Sequence, residues 1–114
     1  MAAWKLTVRN GSTVQRKGFD DLDSALAEAE RQTDEILAEG PVGGARAFRE
    51  YEPSELVRAR IEISGKGLIR PPTAGLDIQG DNSLVGFIGG VARKRVEATD
   101  ESGIFEEIRE ALSK

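Results

Sequence analysis

Two strictly alternating segments constrain the fold of this chain more than any other feature. In residues 4–9, Trp4, Leu6 and Val8 alternate with Lys5, Thr7 and Arg9; in residues 57–63, Val57, Ala59, Ile61 and Ile63 alternate with Arg58, Arg60 and Glu62. Successive side chains of a strand leave on opposite sides, so a period of two requires one face in a core and the other in water. A helix would scatter the same apolar residues around its circumference. Each segment therefore implies a sheet with one buried face and one face that carries mostly cations.

The rest of the chain supplies the remaining strands and the layer that buries them. Asn10-Gly11 signals a hairpin, and a three-residue loop over Asn10, Gly11 and Ser12 is expected because it sets Val14 beside Val8 on the buried face. From Asp21 the pattern changes to Leu22, Ala25, Leu26, Ala29, Thr33, Ile36 and Leu37, a helical stripe that Asp20 or Asp21 caps and Gly40-Pro41 ends. A short strand is expected over residues 45–51, halted at Pro53. The "SGKG" segment turns the chain, and "LIRPPTAG" is extended but irregular because its prolines lack a donor for the ladder. Residues 76–79 and 83–88 form a hairpin around Gly80-Asp81-Asn82, Gly89-Gly90 reverses into a strand over residues 91–98, and a final helix starts near Ser102 with Ile104, Phe105, Ile108, Ala111 and Leu112 on one side. This is the order ββα-ββ-ββα. It implies an α+β fold: one domain over residues 1–114, an antiparallel sheet of five to six strands, and two amphipathic helices packed on one face.

Composition narrows the chemistry. The chain has no cysteine and no histidine, which removes thiol nucleophiles, disulfides, imidazole bases and the zinc sites built from those ligands. Hydrophobic residues make up 39% and charged residues 32%, a balance from which a folded cytoplasmic protein without an export signal is expected. The longest apolar run, residues 84–92, is nine residues, whereas a membrane-spanning helix takes about 20.

The net charge of −4 conceals a segregation. Residues 4–18 contain Lys5, Arg9, Arg16 and Lys17 and no acid, whereas residues 19–40 contain eight acids against Arg31. The helices are acidic and the strands basic. With both helices on one face, the opposite face becomes cationic, and Lys5, Arg9, Arg58, Arg60, Arg93, Lys94 and Arg95 are the candidate binding residues. Such a face suits an acidic protein surface, including the acidic helices of a second copy, and its phosphate affinity makes nucleic acid the alternative partner. Stacking on single-stranded bases requires outward aromatics, and Phe48 and Tyr51 are the candidates outside the expected core.

Motifs for catalysis are weak. "GKGLIR", "GFIGGVARKR" and "GPVGGAR" place glycines near bases, but none matches a phosphate-binding loop, and turns explain them. Without His or Cys the remaining options are carboxylate pairs, a Ser-Lys arrangement or a carboxylate-bound Mg²⁺; Glu62, Asp77 and Asp81 are the candidate carboxylates, and their spacing requires no convergence. Ser64 and Lys66 lack the setting of a Ser-Lys nucleophile. No cofactor or metal is expected.

The combination Trp4 … Asn10-Gly11 … Phe19 … Leu22 … Ala25-Leu26, then Tyr51-Glu52-Pro53, then "GLDIQGDNS", resembles a family of small uncharacterised bacterial proteins of unknown function. Its motifs are a hairpin, a helix start and a turn, so the resemblance implies a fold and no activity. Residues 76–112 also look like the small sheet-plus-helix arms that some integrases use on DNA, at the level of fold. The functional expectation is a non-enzymatic accessory or interaction domain that presents an open cationic sheet face to a protein partner or a second copy. Nucleic-acid binding is the alternative and a carboxylate enzyme the third reading.

Overall fold

The computed structural model describes residues 3–40, 57–65, 71–89 and 93–113. Along the chain these form β1 (Trp4–Asn10), β2 (Thr13–Phe19), α1 (Leu22–Ala38), β3 (Val57–Gly65), β4 (Thr73–Gln79), β5 (Leu84–Ile88), β6 (Lys94–Arg95) and α2 (Glu101–Leu112). The six strands make one sheet in the order β2-β1-β3-β4-β5-β6, with every neighbouring pair antiparallel. This is the α+β architecture expected from the sequence. The expected strand over residues 45–51 lies outside the described residues.

Both helices cover the same face. Leu6 and Val8 of β1, Ala59, Ile61 and Ile63 of β3, and Ala74, Leu76 and Ile78 of β4 are all buried in a core completed by α1 (Ala25, Leu26, Ala29, Ile36) and α2 (Ile104, Phe105, Ile108, Leu112). Burying an aliphatic side chain of this size contributes about 1.5–3 kcal/mol, so the alternating apolar rows are the main force that flattens the helices onto the sheet. Thr33, also in this layer, stays satisfied by donating its hydroxyl to the Ala29 carbonyl at 2.8 Å. At Gly86 of β5 a side chain would stand 2.8 Å from Ile104 Cγ2 and 3.0 Å from Val96 Cβ, so glycine is what lets α2 and Val96 close on the sheet.

Aspartates start both helices. Asp21 accepts from the Ser24 amide at 2.7 Å, and Asp100 accepts from the Gly103 amide at 3.2 Å. These bonds hold both carboxyls below the usual carboxylate range, the Ser24 amide acting first on Asp21 and the Ser102 hydroxyl first on Asp100.

Three details differ from expectation. β4 begins at Thr73, so Thr73, Ala74 and Gly75 of the segment expected to be irregular pair regularly with β3. The first hairpin turns over Gly11-Ser12, with Asn10 paired to Thr13 and Arg9 to Val14. Gly11 takes φ 63° and Ser12 does not follow it into the left-handed region, which is the pattern of a type II′ turn with glycine first. The two-residue loop shifts the register by one, so Val14 faces away from the helices and is 43% exposed. The last strand is also shorter than the expected span of residues 91–98: among the described residues it consists of Lys94 and Arg95, which pair with Ile88 and Phe87.

Where the helices meet, Arg109 of α2 donates to Asp23 of α1. Nearby, Glu101 of α2 has its carboxyl pushed up to about 7, first by burial and then by Asp34 and Glu30 of α1. In the unfolded chain it ionises near 4.5. A carboxyl that holds its proton more tightly when folded adds stability that is complete below pH 4.5 and is lost as pH rises through about 7. Urea denaturation of Glu101→Gln should therefore match the native protein near pH 4 and exceed it by about 1 kcal/mol at pH 8, the gain being limited by solvent screening of a partly exposed group.

Candidate functional site: the open sheet face

The face opposite the helices is ordered by register. One row runs Arg16, Thr7, Glu62, Gly75, Phe87, Arg95 across β2, β1, β3, β4, β5 and β6; the next runs Val14, Arg9, Arg60, Asp77, Val85 across β2 to β5. Lys5 stands beside Gly18 and Ser64 in the row beyond Thr7.

Phe87 lies at the centre of this face and is only 5% exposed. It sits opposite Gly75 on β4; a Cβ there would stand 2.1 Å from the Ile61 carbonyl oxygen of β3 and 3.0 Å from Phe87 Cζ, so glycine lets both the β3 backbone and the ring approach. An aromatic residue covering a cross-strand glycine restores packing that glycine lacks. Two guanidinium groups close over the ring, with Arg93 4.4 Å and Arg60 5.5 Å from its centroid. Arg60 donates to both carboxylate oxygens of Asp77, at 2.5 and 3.1 Å, and Arg93 reaches Glu62 at 3.4 Å. The centre of the face is thus a layered cluster of one ring, two cations and two carboxylates.

Around it stand cations of another kind. Among the described residues, Lys5, Arg9, Arg16 and Arg95 enter no ion pair with a described carboxylate. Arg9 faces Arg60 directly across β1 and β3, a like-charge juxtaposition that Asp77 relieves on the Arg60 side only. Arg9 also borders two shallow grooves, one of about 150 Å³ shared with Thr7, Arg60, Glu62 and Arg93, and one of about 350 Å³ shared with Gly11, Val57, Arg58, Ala59 and Arg60. Val14 and Val57, 43% and 48% exposed, add apolar surface on either side of Arg9.

Of the seven basic residues nominated from sequence, Lys5, Arg9, Arg60, Arg93 and Arg95 share this face. Arg58 and Lys94 do not. Between Val57 and Ala59 the β3–β4 register shifts, and this bulge turns Arg58 to the helix side. There its guanidinium donates to the Ile36 carbonyl at 2.5 Å and the Gly40 carbonyl at 2.6 Å. The last turn of α1 contains no basic residue, so Arg58 supplies from β3 the cation that a helix C-terminus favours. Asn82, at φ 69° in the β4–β5 turn, assists by donating to the Leu37 carbonyl at 3.0 Å. Lys94 pairs with Ile88, which places it on the helix-covered side at the sheet edge. Conversely Arg16 was missed, because the three-residue hairpin loop would have turned it inward.

The candidate carboxylates are engaged separately: Asp77 with Arg60, Glu62 with Arg93, and Asp81 accepting from the Ser83 amide and hydroxyl in its turn. Among the described residues no group of three or more His, Cys, Asp or Glu is placed to hold a metal ion, and no helix is long and apolar enough to cross a membrane. Phe48 and Tyr51 lie outside the described residues. Compared with protein-family models, curated proteins and solved structures, the chain matches none.

This geometry separates two kinds of arginine. Arg58→Met should lower stability by about 1–3 kcal/mol in urea denaturation, because it strips charged hydrogen bonds from part-buried carbonyls. Arg9→Met, on open surface, should change it by less than about 0.5 kcal/mol.

Proposed function

We propose that this protein is a non-enzymatic interaction module that docks an acidic polypeptide surface on its open sheet face. The observation that carries this reading is the ring of cations without described ion-pair partners, Lys5, Arg9, Arg16 and Arg95, around a centre that is already neutralised. A carboxylate brought to Arg9 relieves its repulsion with Arg60 and is offered planar, bidentate guanidinium donors. Val14 and Val57 give the same partner apolar contact, which a purely electrostatic surface would lack.

Nucleic acid fits this face less well. Base stacking needs an exposed ring, and the Phe87 ring is covered by Arg60 and Arg93. Phosphate contact without stacking remains the competing outcome of the test. The proposal includes a cytoplasmic setting and kinship with the small bacterial proteins that the chain resembles.

Fluorescence anisotropy with a labelled glutamate-rich peptide containing interspersed leucines provides the test, with single-stranded RNA and duplex DNA measured in parallel. The peptide should bind, lose affinity as salt rises, and bind at least about tenfold more weakly to the double variant Arg9→Glu, Arg16→Glu. Binding of the nucleic acids without the peptide would replace this reading with the nucleic-acid one. Binding of neither would remove the open face as a site.

A further inference from the structure

The helix layer has its own charged groove. Leu26, Glu30, Ser102, Phe105, Glu106 and Arg109 line a cleft of about 210 Å³ between α1 and α2. Its floor is apolar, since Leu26 and Phe105 are buried core residues, and its rim is acidic, with Asp34 and Glu101 adjoining Glu30. Among the described residues, Arg109 is the one base lining it, and it is already engaged by Asp23. Burial first, then a hydrogen bond with Asp34 and the charges of Asp34 and Glu30, raise the affinity of Glu101 for a proton, and a guanidinium placed at this rim would be attracted to the same carboxylates.

The open face has the complementary arrangement, with exposed Val14 flanked by Arg9 and Arg16. An apolar centre with a cationic rim on one side of the molecule therefore matches an apolar floor with an acidic rim on the other. We infer that the groove between α1 and α2 receives the Arg9–Val14–Arg16 region of a second copy, so that the protein associates head to tail. This rests on the reading of the open face given above and specifies its partner. The two surfaces lie on opposite sides of the sheet, so the contact is heterologous: each copy added leaves one cationic face and one acidic groove open for the next. Salt weakens the association because its polar component is exposed at the rims.

Sedimentation velocity tests this directly. At low salt the average mass of the native protein should rise with concentration above the 12.3 kDa monomer, and high salt should return it to the monomer. Arg9→Gln with Arg16→Gln removes the cationic end, and Glu30→Lys with Asp34→Lys removes the acidic end; each double variant alone should be monomeric. Mixed in equal amounts, they retain one matched pair of ends and should give a species of twice the monomer mass and nothing larger. Circular dichroism confirms that both variants are folded, and the salt series on the native protein needs no substitution at all. A native protein that stays monomeric at low salt, a mixture that stays monomeric, or a mixture that grows beyond twice the monomer mass would each overturn the inference. Binding of the glutamate-rich peptide by a strictly monomeric native protein would overturn self-association and leave the proposed function standing.

Discussion

The structure depends on the position of β3, which is hydrogen-bonded on both sides, to β1 and to β4. Those two ladders set Leu6, Ile63 and Ala74 in one row beneath the helices and Thr7, Glu62 and Gly75 in the next row on the other side. Once the apolar rows are buried, the pleat leaves no choice about the opposite side: Arg9 and Arg60 must stand together, although their charges repel. Asp77 is held beside Arg60 by the same register, and the arrangement is thereby made tolerable without being neutral. The cationic character of the open face is in this sense a by-product of the register that builds the core.

One bulge redistributes this charge. Without the shift between Val57 and Ala59, Arg58 would join Arg60 on the open face and the carbonyls ending α1 would lose their cation. The extra residue instead sends Arg58 to α1, where together with Asn82 it ties the helix C-terminus to β3 and to the β4–β5 turn. A second local exception, the glycine at 75, makes room for Phe87 on a face that otherwise bears polar side chains. The ring then becomes the platform on which Arg60 and Arg93 are stacked, so these two guanidinium groups are fixed in place while those at the periphery remain available.

Much of this was legible in the residues. Strict alternation identified β1 and β3, the helical stripe from Leu22 identified α1, and the opposite signs of strands and helices indicated a cationic face behind an acidic layer. Register-level choices were less visible. Period-two reasoning assumes uninterrupted pleating, so it assigned Arg58 to the open face and could not detect the bulge. The Asn-Gly pair suggested a turn one residue too early; Gly11 followed by Ser12 is the signal of the turn that forms, and reading it would have exposed Val14 and found Arg16. Phe87 lies in an apolar run, a pattern that points to the core, and the glycine that seats it on the other face belongs to a different strand, outside any local pattern.

The account is tested most directly by the relative reactivity of individual arginines toward an arginine-selective dicarbonyl, followed by mass spectrometry of the folded protein. At high salt, where the protein is monomeric, Arg9, Arg16 and Arg95 should modify fastest, Arg60 and Arg93 more slowly, and Arg58 slowest, because its guanidinium is engaged with the end of α1. Rapid modification of Arg58 together with protection of Arg9 would contradict the register, the bulge and the open cationic face at once.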